Sequence, residues 1–324
     1  MNPSGWVEKF EFLKVLVIGD VILDRYWWGD ASRLSPEAPV PILLKRKTTM
    51  RPGGAANAAA NVSALGSTVN LLGLAGQDQE ATQLQEALRQ ERIGTDLMLF
   101  SSDRPTTTKT RIIAGHQHIV RVDEEEIAPL SHQLSTEILR RFQTVVAGVD
   151  AVLVSDYSKG LLTADLLKGL IQSARDAGTP VFVDPKGTNA QRYLGASILK
   201  PNRLELSILV GRTLHNHAET LIAGRELRDL MPGTSLLVTE AADGMTFFGA
   251  DGHEHHVPSE VREVFDITGA GDTVLASLSL AIVAGAPIPD AMLIASTAAG
   301  IAIASMGAAT VSSAKLTEAL RPLS

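Results

Sequence analysis

The 324-residue chain contains no cysteine. That absence removes disulfides and thiolate catalysis, and it fits a reducing, cytoplasmic setting. The chain also lacks a positive excess: 29 Lys and Arg stand against 36 Asp and Glu, for a formal net charge of −7. A nucleic-acid partner, which usually wants a basic face, is not expected. Small anionic ligands stay open, because one turn or helix start can bind them against the overall charge. No signal peptide is expected, since Glu8 and Glu11 precede the first short apolar run. Residues 291–311, AMLIASTAAGIAIASMGAATV, carry no charge over 21 positions. Nearly half of them are Ala or Gly and no basic cluster flanks them, so a buried helix ending near Gly307 is expected in place of a membrane span.

Familiar ligand signatures are missing as well. A dinucleotide-binding G-x-G-x-x-G over 269–274 would need glycine where the chain has Val274. No G-x-x-x-x-G-K-[ST] loop occurs, and Lys186 in DPKGT belongs to none. No H-E-x-x-H or similar zinc spacing occurs, so HEHH (253–256) reads as a solvated face. Internal repeats and low-complexity linkers are absent too.

What is present suits one large α/β domain with room for a small appendage, at 45% hydrophobic and 20% charged residues. Two-sided apolar runs at 14–18, 69–73, 151–154, 181–184, 197–200 and 235–239 predict strands. Helical patterns at 55–65, 79–91, 135–146, 163–177 and 218–230 alternate with them. That order predicts a mostly parallel sheet covered on both faces. Residues 39–47 and 106–123 instead alternate apolar and polar like one-sided antiparallel strands, a pattern suited to a small lid.

Ligands of open α/β sheets collect at the carboxyl ends of strands, and four polar segments fall there. In VLVIGDVILDRYW, Asp20 and Asp24 are either turn carboxylates or acceptors for substrate hydroxyls. In RPGGAANAAANVSALG, Gly53 and Gly54 permit a backbone that side chains would block. Close helix packing explains the alanines of that stretch but not the polar Asn57 on the first turn, where a ligand would lie. In LKPNRLELSILVG, Asn202 and Glu205 share one side of a first helical turn. They are either an N-cap with an acidic first turn or holders of the water shell of a phosphate-bound Mg²⁺. In VREVFDITGAGDTVLASLSLA (261–281), Gly269, Ala270 and Gly271 precede a helix beginning near Asp272. Its unpaired N–H groups and dipole suit a transferring phosphate, and Asp272 is placed to take the proton of an acceptor alcohol.

DITGAGDT, PGGAANAAAN and KPNRLE, in this order over essentially the whole chain, make it resemble the PfkB/ribokinase family of sugar kinases. GDVILDRYWWGDASRLSPEAPVPI, SDYSKG and DPKGT extend the resemblance to the kinase domain of bacterial heptose 7-phosphate kinases. The resemblance implies a ribokinase-like α/β fold with a small β-sheet lid. It implies ATP-dependent phosphorylation, with Mg²⁺, of D-glycero-β-D-manno-heptose 7-phosphate at C1. The product, heptose 1,7-bisphosphate, lies on the route to the ADP-heptose of lipopolysaccharide core. By the same resemblance Asp272 is the base and Gly269 to Gly271 the anion hole, while Asn202 and Glu205 form the metal and phosphate motif. Thr239 and Gly244 end the nucleotide loop TEAADG, and Ser296 stands where many members carry an asparagine near adenine. Asp20, Asp24, Gly53, Gly54, Asn57, Asp156 and Asp266 would contact the sugar. Arg111, Lys159 and Lys186 are candidates for its 7-phosphate, although solvated lysines would look the same. Many such kinases are fused to a nucleotidyltransferase; this sequence stops at Ser324, so that activity is expected on another protein. Lids of this kind pair across a two-fold axis, which implies a homodimer, with Ile42, Leu44, Ile112 and Ile119 as the apolar lid face. Same-fold kinases for fructose 6-phosphate or ribose, and a non-catalytic nucleotide-binding module, remain alternatives.

Overall fold

A computed structural model describes residues 2–115, 117–259, 269–304 and 310–321. In the first half of the chain the strands are Lys14–Gly19 (β1), Val21–Leu34 (β2), Pro41–Gly54 (β3), Thr68–Leu72 (β4), Leu74–Gly76 (β5), Leu99–Ser101 (β6), Thr108–Ala114 (β7) and Gln117–Glu124 (β8). In the second half they are Ala151–Ser155 (β9), Val181–Asp184 (β10), Ile198–Leu199 (β11), Ser235–Thr239 (β12), Met245–Phe248 (β13) and Glu254–Val257 (β14).

Eight strands form the main sheet in the order β14-β13-β12-β11-β10-β9-β1-β4. It is parallel from β4 to β12, and β13 and β14 close it as an antiparallel edge. The two faces can be read off β1, whose residues 15–19 are all buried. Val15 and Val17 point into one core and Leu16 and Ile18 into the other, as a period of two requires. The first core is covered by the Ala55–Ala64, Ala270–Val283 and Ile288–Ile303 helices, whose many small residues let backbones approach closely. The second is covered by the amphipathic His132–Val145 and Ala164–Asp176 helices, through Ile138, Phe142, Leu167 and Leu170. The uncharged 291–311 run supplies most of the Ile288–Ile303 helix, and Gly307 lies outside the described residues. Among the described residues no helix is long and apolar enough to cross a membrane.

A second sheet, β3-β2-β7-β8, stands off the first. It corrects the sequence expectation twice. The stretch after Asp20 is no turn but a 14-residue strand at the centre of this sheet. Its pairing with β7 is parallel, so only β2–β3 and β7–β8 are antiparallel. The burial of β2 fades along its length, from fully buried at Val21 to exposed at Leu34, as it leaves the core. On the outer part of the sheet Leu44, Val120 and Val122 are 56%, 49% and 46% exposed.

Candidate active site

The carboxyl ends of β10, β11 and β12 open onto a cavity of about 1150 Å³, as expected for a parallel sheet. Asp272 lies at its floor, in the first turn of the Ala270–Val283 helix, and is only 3% exposed. Gly269 is the N-cap, in the left-handed region at φ 82°, and among the described residues no side chain caps the helix. The first helical bond runs from the Thr273 N–H to the Gly269 carbonyl at 3.1 Å. The amides of Ala270, Gly271 and Asp272 therefore precede the ladder and form the open, partly positive end of the helix.

One oxygen of Asp272 is held and the other is not. Oδ2 accepts from Asn57 Nδ2 at 2.6 Å and from the Tyr157 hydroxyl at 3.2 Å. Oδ1 is buried with no hydrogen-bond partner among the described residues. Burial, then the nearby charge of Asp184, raises the carboxyl to about 7, against the Asn57 bond and Lys200. The Tyr157 hydroxyl is pushed up, chiefly by the charge of Asp272, and so stays a donor.

Lys200 and Asp184 complete this floor. Lys200 is 2% exposed and its ammonium lies 3.0 Å from the Asp184 carboxylate. Burial opposes its charge, but Asp184, Glu205 and Asp272 outweigh burial and raise its pKa. A Cβ on Gly271 would come 3.4 Å from Lys200 Nζ, so the glycine lets the ammonium lie against the open helix end.

The Arg203–Val210 helix faces the same cavity with an end that is closed. Asn202 Oδ1 accepts from the Glu205 N–H at 2.8 Å and Glu205 Oε2 accepts from the Asn202 N–H at 2.9 Å, a reciprocal capping box. Glu205 Oε1 also pairs with Lys186. The N-cap reading of this segment is met, and the two cap residues also line the cavity. Thr239, Gly244, Ser296, Asp156 and Lys186 line it as well.

The remaining sequence candidates gather at the base of the second sheet, outside the cavity lining. The Asp20 carboxylate accepts backbone N–H groups of Tyr157, Lys159 and Leu161 at 2.9, 3.0 and 3.3 Å, holding the loop that carries Tyr157. Burial raises its pKa against those bonds. Arg111 Nη1 donates to Asp24 Oδ1 at 2.6 Å, and Asp24 outweighs burial to hold the guanidinium above its usual pKa. Lys159 Nζ donates to Glu125 at 2.7 Å. Gly53 and Gly54 answer to packing: a Cβ would fall 2.5 Å from Asp24 Oδ2 and 2.3 Å from the Asp20 carbonyl oxygen. Asn57 turns to Asp272, and Asp266 lies outside the described residues.

Sequence reasoning assigned no role to Lys200, Asp184 or Tyr157, although each stands inside a motif it quoted. HEHH also departs from its expectation in part: His256 packs against His217, with ring centroids 4.4 Å apart.

A profile described as "pfkB family carbohydrate kinase" matches residues 13–315. The chain is 42% identical over 317 residues to the bifunctional protein HldE of Hyphomonas neptunium, covering 98% of this chain but only 65% of that protein. It superposes on phosphofructokinase-2 from Escherichia coli in complex with potassium with a TM-score of 0.77 at 18% identity, over 96% of this chain and 99% of the other. Arabidopsis thaliana ribokinase complexed with ribose and ATP gives 0.74 at 21%, over 95% and 99%. The two structural likenesses, at 18% and 21% identity, bear on the fold alone.

Proposed function

The chain belongs to the pfkB family of carbohydrate kinases, and from that premise we propose that it transfers the γ-phosphoryl group of ATP to the C1 hydroxyl of D-glycero-β-D-manno-heptose 7-phosphate. The observation that carries the chemistry is the pairing of Asp272 Oδ1, buried and unpartnered among the described residues, with the uncapped helix end beside it. The choice of sugar rests on the motifs GDVILDRYWWGDASRLSPEAPVPI, SDYSKG and DPKGT, and on the 42% identity to the Hyphomonas protein.

In this reading Asp272 Oδ1 accepts the hydroxyl proton while the sugar oxygen bonds to the γ-phosphorus. The bond from that phosphorus to the β–γ bridging oxygen breaks, and ADP leaves with the electron pair. The amides of Ala270 to Asp272 and the Lys200 ammonium receive the charge that gathers on the phosphoryl oxygens. A base with its pKa near 7 is well matched to proton transfer at neutral pH. Asn57 and Tyr157 orient Asp272, and Asp20 fixes the Tyr157 loop. Thr239, Gly244 and Ser296 serve the nucleotide. The oxygen donors of Glu205 and Asp184 suit a Mg²⁺ held largely through water, which would neutralise the nucleotide phosphates. Lys186, paired with Glu205 inside the cavity, belongs with those phosphates in this reading. Arg111 and Lys159, at the base of the second sheet, are the better candidates for the sugar's 7-phosphate, with Asp24, Asp156, Gly53 and Gly54 on the sugar side.

An ADP-release assay over heptose 7-phosphate, unphosphorylated heptose, fructose 6-phosphate and ribose tests the assignment. Heptose 7-phosphate should give the highest kcat/KM, and a clear preference for fructose 6-phosphate or ribose would overturn it. We place this chemistry in the cytoplasm, where ATP is supplied. We also propose that the exposed apolar residues of the second sheet, Leu44, Ile119, Val120 and Val122, cover a second copy of the chain. Sedimentation as a monomer at micromolar concentration would overturn that.

A further inference from the structure

Behind the nucleotide turn lies a cluster that the transfer reaction does not use. Glu240 begins this turn, with its N–H donating to the Gly244 carbonyl at 2.7 Å, and its side chain is fully buried. His217 opens the His217–Leu230 helix and places Nδ1 3.0 Å from Glu240 Oε2. Thr246 and His256 are cross-strand partners on β13 and β14. The Thr246 hydroxyl donates to Glu240 Oε1 at 2.6 Å and lies 2.9 Å from His256 Nδ1, so one oxygen fixes the orientation of both side chains. One ligand atom each from His217, Glu240 and His256 lie within 4.8 Å of one another.

We propose that His217, Glu240 and His256 form a binding site for one borderline transition-metal dication of the Zn²⁺ kind. Two imidazoles and one carboxylate match the preference of such ions, and the partly exposed rings leave a further position open to water. The local charge permits it. Glu240 and Asp243 supply two negative charges and Arg203 one positive charge, which leaves a net −1 with both rings neutral. Arg203 also holds Asp243 and the Thr220 hydroxyl, so it keeps partners when Glu240 turns to an ion. An ion here joins a helix start, the nucleotide turn and the edge strand, adding to the Arg225–Glu254 ion pair that already ties the His217–Leu230 helix to β14.

The test is to titrate the chelator-treated, desalted full chain with Zn²⁺ alone, without nucleotide, in competition with a chromogenic chelator. One saturable equivalent per chain is expected, with affinity falling about tenfold or more in His217→Ala and in His256→Ala. Zn²⁺ should raise the Tm of the wild type and leave the Tm of the double variant unchanged. The absence of a saturable equivalent in the wild type would overturn the proposal, as would equal binding in the double variant. So would an equal loss in His253→Ala, which would assign the ion to the exposed histidine tract. Displacement by Mg²⁺ at comparable concentration would assign it to the oxygen donors around Glu205, with the same consequence.

Discussion

Two helices point their first turns at the same cavity and differ in how those turns end. The Arg203–Val210 helix is closed by its own side chains, Asn202 and Glu205, each bonded to the other's backbone. The Ala270–Val283 helix starts at Gly269, and among the described residues no side chain caps it. A closed end offers a ligand a carboxylate, while an open end offers it N–H groups and the positive pole of the dipole. Opposite polarities thus face each other across one cavity. That arrangement suits a ligand carrying both phosphate oxygens and a cation. In the sequence Asn202 and Glu205 read as either an N-cap with an acidic first turn or metal holders, and Gly269 to Gly271 as a turn leaving N–H groups unpaired.

The largest effect should come from the carboxylate on the open helix. Asp272→Asn keeps the size of the side chain and an acceptor for Asn57, but it cannot take a proton. We expect kcat to fall by about 10²–10⁴ while ATP affinity changes little, because the backbone amides are untouched. A folded variant with near-normal turnover would reduce Asp272 to a helix-start residue and end the comparison.

Closing the open end should cost nearly as much. Aspartate is among the residues that tolerate the left-handed backbone Gly269 adopts, so Gly269→Asp would set a carboxylate beside the open amides and place a negative charge where the phosphate is to bind. A loss of about 10²–10³ in kcat/KM for ATP is expected, with Tm held or lowered by a few degrees. Unchanged kcat/KM would show that the amides do not meet the nucleotide.

The capped helix should respond more mildly, and in a way that separates its two roles. Glutamine also serves in a capping box, so Glu205→Gln should leave Tm nearly unaltered. Removing the charge should raise the Mg²⁺ concentration needed for half-maximal rate by about 10–100-fold. If the variant needs no more Mg²⁺ than the wild type, Glu205 is a cap and nothing more.

The parts legible in the sequence are those whose signal is local. Alternating apolar runs and helical patterns marked the main sheet and its covering helices, because a parallel strand buried on both faces is apolar throughout. The strand Val21–Leu34 escaped because it changes environment along its length, from core to solvent, so no single period fits it. Lys200 and Asp184 escaped for a different reason. Asp184 ends β10 and Lys200 directly follows β11, and only the pairing of the two strands brings them together under Gly271. His217 and Glu240 are likewise separated by 23 positions and joined only by the fold.

The smallest effect predicted is on stability, and it runs opposite to the loss of activity. The Asp272 carboxyl is raised from 3.8 to about 7 in the folded chain, because it is buried and close to Asp184. Between those values the folded state holds a proton that the unfolded chain has released. Stability from this group is therefore fully present below about pH 4, declines as pH rises through about 7, and is flat above that. Asn at 272 carries no titrating proton and removes the decline. The Tm difference between Asp272→Asn and wild type should then be near zero at pH 4 and grow to a gain of a few degrees by pH 8. Thermal melts across that range decide the matter. A constant difference at all pH values would mean that Asp272 titrates at its ordinary pKa, and that the buried floor of the cavity does not hold it near neutrality for proton transfer.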